Sequence, residues 1–521
     1  MVLFIPIIIL LLFGIGIQVL GRTLFNIVQS WIFAVTGSIL AWLSFFIVKI
    51  FQSGQTVTLF FPSESLMNFQ IIFKISDKNW VFGFLLLTLL IVILLMDAKW
   101  LTEKNSLIAW SGVLFIGASG LLTIMSGSVI PFLLTSALLD IQLFTSQIII
   151  QKEDFEVRIT IFDFLFRIIG TFIIMFGFGL NGEIDLLLVS AGMGLRLGAI
   201  PFGSEFPRTE TISPRLAILF EMVVPISCFA FLNQMQVTNS EFPGKAIYFV
   251  VLIIFIFSNA MKIITHQQSR NGMRAWVSAF SGLAVMLLIN GQIDYIQPLS
   301  IVICVFGGLL AFELYGSSRF KIGIIILLLS MIGLPYTPSY GIWSTTLQES
   351  PTFFLFFYPI LLTFFILVVF HTIISFPAKG DQKDSWVKIA SIISPITLLI
   401  VPWILEIWIW PAKSDELNLI SPAIFLAMLT FLIYLDRSEK TKIYIKNYLN
   451  SYKRFLSFIA SGLEKVLSLA WIARILKFVN RTLSNLINIF VRVLEGDGGL
   501  LWAFVFLILI SSILLTYRIF S

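Results

Sequence analysis

Charged residues, cysteines and histidines are all scarce in this sequence. Asp, Glu, Lys and Arg make up 12% of its 521 residues, against about 25% in an ordinary soluble domain, so a soluble globular fold is excluded. Cys228 and Cys304 both fall inside apolar segments, which predicts neither a disulfide framework nor a metal cluster. His266 and His371 lie too far apart in sequence to form a ligand motif.

Motifs for nucleotide and metal binding are missing as well. The sequence contains no Walker loop, no GxGxxG fingerprint and no zinc signature. We therefore expect no cofactor, no metal and no catalytic site of the chain's own. Nothing in the sequence indicates a nucleic-acid partner.

Long apolar runs are what the sequence does contain. Hydrophobic residues make up 58% of the chain, and runs near 20 residues, the length that crosses a bilayer as a helix, recur along it. The segment FLLLTLLIVILLM (84–96) is apolar on every side, whereas the strands of a membrane barrel alternate polar and apolar residues. The sequence therefore predicts an all-α polytopic membrane protein, an integral part of the membrane.

The apolar runs predict about sixteen transmembrane helices. Their approximate bounds are 3–20, 31–49, 80–97, 107–126, 129–150, 160–179, 184–202, 214–233, 246–265, 274–290, 297–316, 322–343, 353–375, 387–410, 420–435 and 499–517. With the N-terminus outside, the inner loops hold fifteen Lys and Arg residues and the outer segments six, the basic linker not counted. The positive-inside rule therefore favours both termini outside.

A basic linker precedes the last predicted helix. Residues 437–494 hold eleven Lys or Arg and two Glu, a balance of +9, and their apolar residues recur at helical spacing. We expect one long or two shorter amphipathic helices along the cytoplasmic interface. The alternative is a solvated basic helix that is attracted to anionic lipid. The predicted domains are a core over 1–435, this lateral helix over 436–497 and a membrane anchor over 498–521.

The stretch MGLRLGAIPFGSEFPRTETISP (193–214) interrupts the apolar pattern. Glycine and proline break the backbone ladder of a helix, and such breaks survive in a membrane only inside protein or beside a water-filled cavity. An arginine in a membrane segment is a candidate functional residue. The residues that predict the break are Gly198, Pro201, Pro207 and Pro214, with Arg196 on the approach to it.

This stretch resembles the discontinuous seventh helix of the antiporter-like membrane subunits of respiratory complex I, Mrp-type sodium/proton antiporters and membrane-bound hydrogenases. The family pattern is approximately K-L-G-x-x-P-F-H-x-W-L-P, and Arg196 stands where the family has lysine. A second resemblance, LLSMIGLPYTPSYG (328–341), matches the discontinuous twelfth helix and places further breaks at Pro335 and Pro338. A weaker third one lies at 270–291.

The resemblance implies fold, partners and activity. For the fold, it implies discontinuous helices 7 and 12 and a lateral helix before the last span. It also implies that the partners are other membrane subunits and that the protein lies in a prokaryotic plasma membrane. Family members move protons through a central axis of a glutamate and several lysines. Here Asp140 lies about one turn beyond the expected glutamate, Glu221 about one turn before an absent lysine, and no ionisable residue stands near 343–345.

The candidates for an ion pathway are therefore Asp140, Arg196, Glu221 and His371. Two interpretations of the charges stay open: a reduced relay that translocates protons or sodium, or static ion pairs of Arg196 with Asp140 or Glu221 in a subunit that has lost transport. A lipid-linked glycan transporter is a further alternative. Asp163 and Arg167, spaced i,i+4, are expected to be an interfacial pair whose arginine reaches toward the membrane surface.

Overall fold

Ten α-helices and one β-hairpin make up the part of the chain that the computed structural model describes. The described residues are 2–23, 26–52, 56–60, 70–97, 106–150, 154–179, 185–199, 214–235, 245–265 and 269–291, with isolated positions between 293 and 301 and between 397 and 405. All of them belong to the first of two compact units, residues 1–461. The predicted lateral helix and both predicted domain boundaries lie outside the described residues.

The helices follow the apolar runs of the sequence. They are α1 (Ile5–Thr23, after a 3₁₀ turn at Val2–Phe4), α2 (Ile27–Gln52), α3 (Trp80–Met96), α4 (Ser106–Ile124), α5 (Val129–Ile150), α6 (Asp154–Gly179), α7 (Leu186–Arg196), α8 (Pro214–Leu232), α9 (Lys245–Thr265) and α10 (Ser269–Ile289). Within the described residues, α1, α2, α4, α5 and α6 are long and apolar enough to cross a membrane. The predicted all-α, polytopic membrane fold is confirmed, while the total of sixteen helices stays a prediction.

Side chains with polar atoms tie the first helices together. The indole nitrogen of Trp31 in α2 donates to the carbonyl oxygen of Leu94 in α3 at 2.7 Å, and Gln18 in α1 donates to the Ser111 hydroxyl in α4 at 3.2 Å. In an apolar environment an isolated polar group is costly. These bonds therefore satisfy each group while fixing which helix faces meet.

A short β-hairpin occupies the predicted outer loop, which the sequence analysis did not foresee. Strands β1 (Thr56–Phe60) and β2 (Gln70–Lys74) pair antiparallel. The loop between α4 and α5 extends the sheet, because Gly127 donates its backbone N–H to the oxygen of Ile72 at 2.7 Å. We call this side of the bundle the hairpin end.

Buried Asn79 fastens the start of α3 to the hairpin end. Its side-chain amide donates to the carbonyl oxygens of Lys74 and Ile124, and its oxygen accepts the backbone N–H of Ser76 at 2.7 Å. The end of α8 reaches the same region, since Asn233 donates to the oxygen of Lys78 at 2.9 Å. The hairpin thus holds α3, α4 and α8 at a common level.

Helices α6 and α7 approach each other closely because glycines face glycines. A Cβ atom placed on Gly170 would lie 2.7 Å from the carbonyl oxygen of Gly192 and 3.0 Å from the backbone nitrogen of Arg196, and one placed on Gly192 would lie 2.7 Å from the oxygen of Gly170. Real Cβ atoms do not come so near. The two backbones therefore meet only because neither position carries a side chain.

Replacing Gly170 with alanine is expected to separate α6 from α7 and destabilise the protein by about 1–3 kcal/mol, the usual cost of overpacking. The measurement is the apparent melting temperature of the purified protein in detergent. Gly112→Ala in α4 is the matched control. Its new Cβ would meet only the side chain of Ser146, at 3.5 Å or more, and alanine favours a helix over glycine. Equal melting temperatures for the two variants would contradict the close contact.

Candidate functional site

Helix α7 ends at Arg196, earlier than the predicted span 184–202. Gly198 has a φ of 66°, its N–H donates to the oxygen of Leu195, and the N–H of Ala199 donates to the oxygen of Gly194 at 2.8 Å. This pair of bonds around a left-handed glycine is the Schellman motif, which ends helices. The apolar run alone predicted a longer helix, and the glycine sets the true end.

The other end of α7 is capped by a carboxylate. Asp185 lies just before the helix, with an extended backbone, and its side chain accepts the N–H of Leu188 at 3.2 Å. An acidic N-cap satisfies one of the free N–H groups of the first turn and complements the helix dipole. Both ends of the eleven-residue helix are thus defined, which fixes where Arg196 lies.

Arg196 is buried and hydrogen-bonded to two neighbouring helices. Its Nη1 lies 2.6 Å from Oδ2 of Asp140 in α5 and 2.5 Å from the Thr171 hydroxyl in α6. Its Nη2 donates to the carbonyl oxygen of Ser136 at 3.2 Å. The side chains of Arg196 and Asp140 are both 0% exposed. Of the two carboxylates considered from sequence, Asp140 is the one that pairs with the arginine.

Arg167 belongs to the same cluster rather than to the membrane surface. Its Nη1 lies 4.0 Å from Oδ1 of Asp140, and its side chain is 13% exposed. Two unit charges at that separation attract by about 4 kcal/mol when the effective dielectric constant is about 20. This differs from the expectation that Arg167 reaches toward the membrane surface, because α6 turns the residue toward α5.

A cavity lies beside the buried pair. About 40 Å³ of it is open to the centre of a water molecule, and about 10–15 Å³ suffices for one water. The lining residues come from α6, α7 with the turn that follows it, α8 and α10: Asp163, Phe166, Arg167, Leu195, Arg196, Leu197, Gly198, Glu221, Val224, Pro225, Val277 and Ser278. Four of them carry charge, so the cavity suits water.

Glu221 enters the site from α8. The residue is 8% exposed and lines the cavity together with Pro225, which lies inside the same helix. Proline has no N–H, so Pro225 cannot donate the backbone bond that would close the turn at Glu221. Glu221 and Arg196 are both candidates for the ion pathway from sequence, and both lie on the wall of this cavity.

Several predicted residues lie outside the described part of the chain. They are Pro201, Pro207, Pro335, Pro338 and His371. Pro214 is described as the first residue of α8, a position at which its missing N–H costs nothing. Of the predicted break, the structure therefore shows the end of α7 at Arg196, the turn at Gly198 and the beginning of α8 at Pro214.

Two hydrogen-bond partners of the arginine were missed from sequence, the Thr171 hydroxyl and the Ser136 carbonyl oxygen. The buried Cys228 thiol, which lies near the guanidinium, was missed as well. Thr171 follows Arg167 by four residues, so the helical spacing placed the two together on one face of α6. A backbone carbonyl and a thiol in an apolar run leave no comparable signal.

No family model and no curated protein matches the sequence. Solved structures match it in fold. A chain of respiratory complex I from Thermus thermophilus, with bound aureothin, gives a TM-score of 0.57 at 14% identity, covering 78% of this chain and 99% of that chain. The chain shares its fold with this chain of complex I. A chain of the membrane-bound sulfane sulfur reductase, an archaeal respiratory membrane complex, gives 0.58 at 11% identity, covering 92% of this chain and 100% of that chain.

The similarity in fold holds although the sequences have diverged. At 11–14% identity the shared feature is the arrangement of helices, and it confirms the resemblance drawn from the motifs. It assigns no role to Asp140, Arg196 or Glu221. Their roles must follow from the chemistry of this chain.

Replacing Asp140 with asparagine is expected to destabilise the protein by about 3–5 kcal/mol, because the charge of Arg196 would stay buried without its partner. The apparent melting temperature in detergent measures the loss. Asp77→Asn is the matched control, since Asp77 pairs with Lys49 while 90% exposed, where ion pairs contribute little. A melting temperature for Asp140→Asn equal to that of the control would contradict a pair of structural importance.

Proposed function

We propose that the protein is a membrane subunit of a multisubunit respiratory-type complex, of the NADH-dehydrogenase or cation/proton antiporter kind. In it the protein contributes to proton or sodium translocation through a reduced relay. The observation that carries the proposal is the cavity beside Arg196, with four charged side chains on its wall. Charged side chains inside a membrane-spanning bundle are costly, and where they occur they usually mark an ion or proton pathway.

The roles in the relay follow from which groups can change charge. Arginine keeps its proton at any accessible pH, so Arg196 supplies a fixed positive charge rather than a proton. Glu221 is a carboxylate on the wall of a cavity large enough for water, and we assign the transfer of the proton to it. Asp140 balances Arg196 and thereby sets the field in which Glu221 works.

The proposal extends to the setting of the subunit. We place both termini outside and the basic lateral helix, 437–494, on the cytoplasmic side, where it would strap the subunit to neighbouring membrane subunits and to anionic lipid. The hairpin end is then the outer side, and the break after Gly198 faces the cytoplasm. The cavity beside Arg196 would accordingly exchange ions with the inner side.

A transport-inactive structural subunit is the second candidate. The bonds of Arg196 to Asp140, Thr171 and Ser136 favour it, because they tie α5, α6 and α7 together. A static clamp depends on these bonds, whereas the relay also requires the Glu221 carboxylate to transfer protons. The two candidates therefore differ in what Glu221 does. No observation favours the lipid-linked glycan transporter.

Membership in a complex is tested by isolation in mild detergent from the natural membrane. A tagged chain is expected to bring further membrane subunits with it in fixed ratio, seen by gel filtration and mass spectrometry. An unrelated tagged membrane protein from the same membranes is the control for non-specific capture. Recovery of the chain alone and monodisperse would contradict the proposal.

Transport is tested by proton and sodium flux in the purified, reconstituted complex. Glu221→Gln is expected to lower flux by an order of magnitude or more, since a positioned carboxyl contributes about 10²–10⁴-fold to proton transfer. Asp140→Asn and Arg196→Ala are expected to lower flux as well, because each removes a charge that sets the field at Glu221. Asp77→Asn, at the exposed hairpin end, is expected to leave flux unchanged. Normal flux in all three cluster variants would reject the relay and favour the structural subunit.

A further inference from the structure

Asp140 lies between two guanidinium groups on different helices. Its Oδ2 is bonded to Arg196 at 2.6 Å, while its Oδ1 lies 4.0 Å from Arg167 and makes no hydrogen bond. The carboxylate thus uses one oxygen and turns the other toward a second cation. A single static ion pair does not need that second cation.

We infer that Arg167 is a second partner of Asp140, so that the carboxylate stays ionised by passing to Arg167 when Arg196 turns away. The movement is small: a hydrogen bond between these groups measures about 2.9 Å, so a separation of 4.0 Å must close by about 1 Å. Arg167 lines the cavity, which leaves room for its long side chain to move.

Thr171 already links the two arginines. Its hydroxyl donates to the carbonyl oxygen of Arg167 at 2.9 Å and accepts from Nη1 of Arg196 at 2.5 Å. Arg167 and Thr171 lie one turn apart on α6, so both cations meet Asp140 beside the same turn. The carboxylate can exchange partners without either helix moving along the other.

The other charged groups around Asp140 are compatible with this exchange. Asp163 in α6 and Glu221 in α8 lie on the cavity wall, and the Cys228 thiol of α8 lies beside Arg196. The two carboxylates compensate the second arginine, so the cluster is not left with an excess of positive charge. In the proposed function, Asp140 therefore never carries a proton, and Glu221 carries it instead. Only this consequence rests on the proposed function.

Infrared difference spectroscopy of the purified full chain at neutral pH tests the inference. The spectrum of each variant is subtracted from that of the same variant with Asp140→Asn added, which isolates the signal of Asp140. In Arg196→Gln this signal is expected to be that of an ionised carboxylate, because Arg167 then forms the ion pair with Asp140. In Arg196→Gln with Arg167→Gln it becomes that of a protonated carboxyl, and Arg167→Lys in place of Arg167→Gln restores the ionised signal.

Several results would overturn the inference. A protonated carboxyl signal in Arg196→Gln alone would mean that Arg167 does not replace the lost partner. An ionised signal in the variant that lacks both arginines would mean that Arg167 is not what keeps Asp140 ionised when Arg196 is absent. If Arg196→Gln fails to fold but folds once Asp140→Asn is added, the unpaired carboxylate is the cause and the inference is wrong. Lys49→Gln, at the hairpin end, controls for loss of a cation and should leave the Asp140 signal unchanged.

The spectrum separates this inference from the proposed function. The protonation state of Asp140 is measured in a protein at rest, without ion flux. Normal flux in the cluster variants would reject the relay and leave the exchange of partners untouched. A protonated Asp140 in Arg196→Gln would reject the exchange while the relay through Glu221 stayed possible.

Discussion

The guanidinium of Arg196 carries a charge that it cannot give up, and it lies where water does not surround it. A buried charge is tolerated only with an opposite charge and with hydrogen bonds to its remaining donors. Asp140, Thr171 and the Ser136 carbonyl, which come from α5 and α6, supply the opposite charge and bond both terminal nitrogens, while Nε makes no hydrogen bond. Satisfying one side chain therefore requires three helices to meet at one level of the bundle.

The close packing of α6 on α7 is a condition for the same cluster. Gly170 and Gly192 let the two backbones approach, and Thr171, the residue after Gly170, then reaches Arg196. The Schellman turn at Gly198 ends α7 directly after the arginine, so the guanidinium lies at a helix end beside a cavity rather than within a continuous helix. Backbone geometry and electrostatics here support each other.

Arg196 stands where the pattern that this stretch resembles has a lysine, and the difference changes what the cluster can do. A buried lysine can lose its proton, whereas an arginine holds its charge. In the proposed function, ion movement through the cluster relies on carboxylates and on exchange of ion-pair partners. The groups proposed for it are Arg167, whose guanidinium lies 4.0 Å from Asp140, and Glu221 on the cavity wall.

The pattern of apolar runs alone determined the membrane class and the helical fold, because lipid accepts only a backbone whose polar groups are bonded within the segment. The same pattern gave the bounds of helices such as α3 and α5 nearly to the residue. The motif around Gly198 likewise predicted the break. The end of α7, the β-hairpin, the choice of Asp140 over Glu221 and the turn of Arg167 toward that carboxylate were decided only by the tertiary structure. Each depends on which helix faces meet, and apolar periodicity does not distinguish between apolar neighbours when nearly every face is apolar.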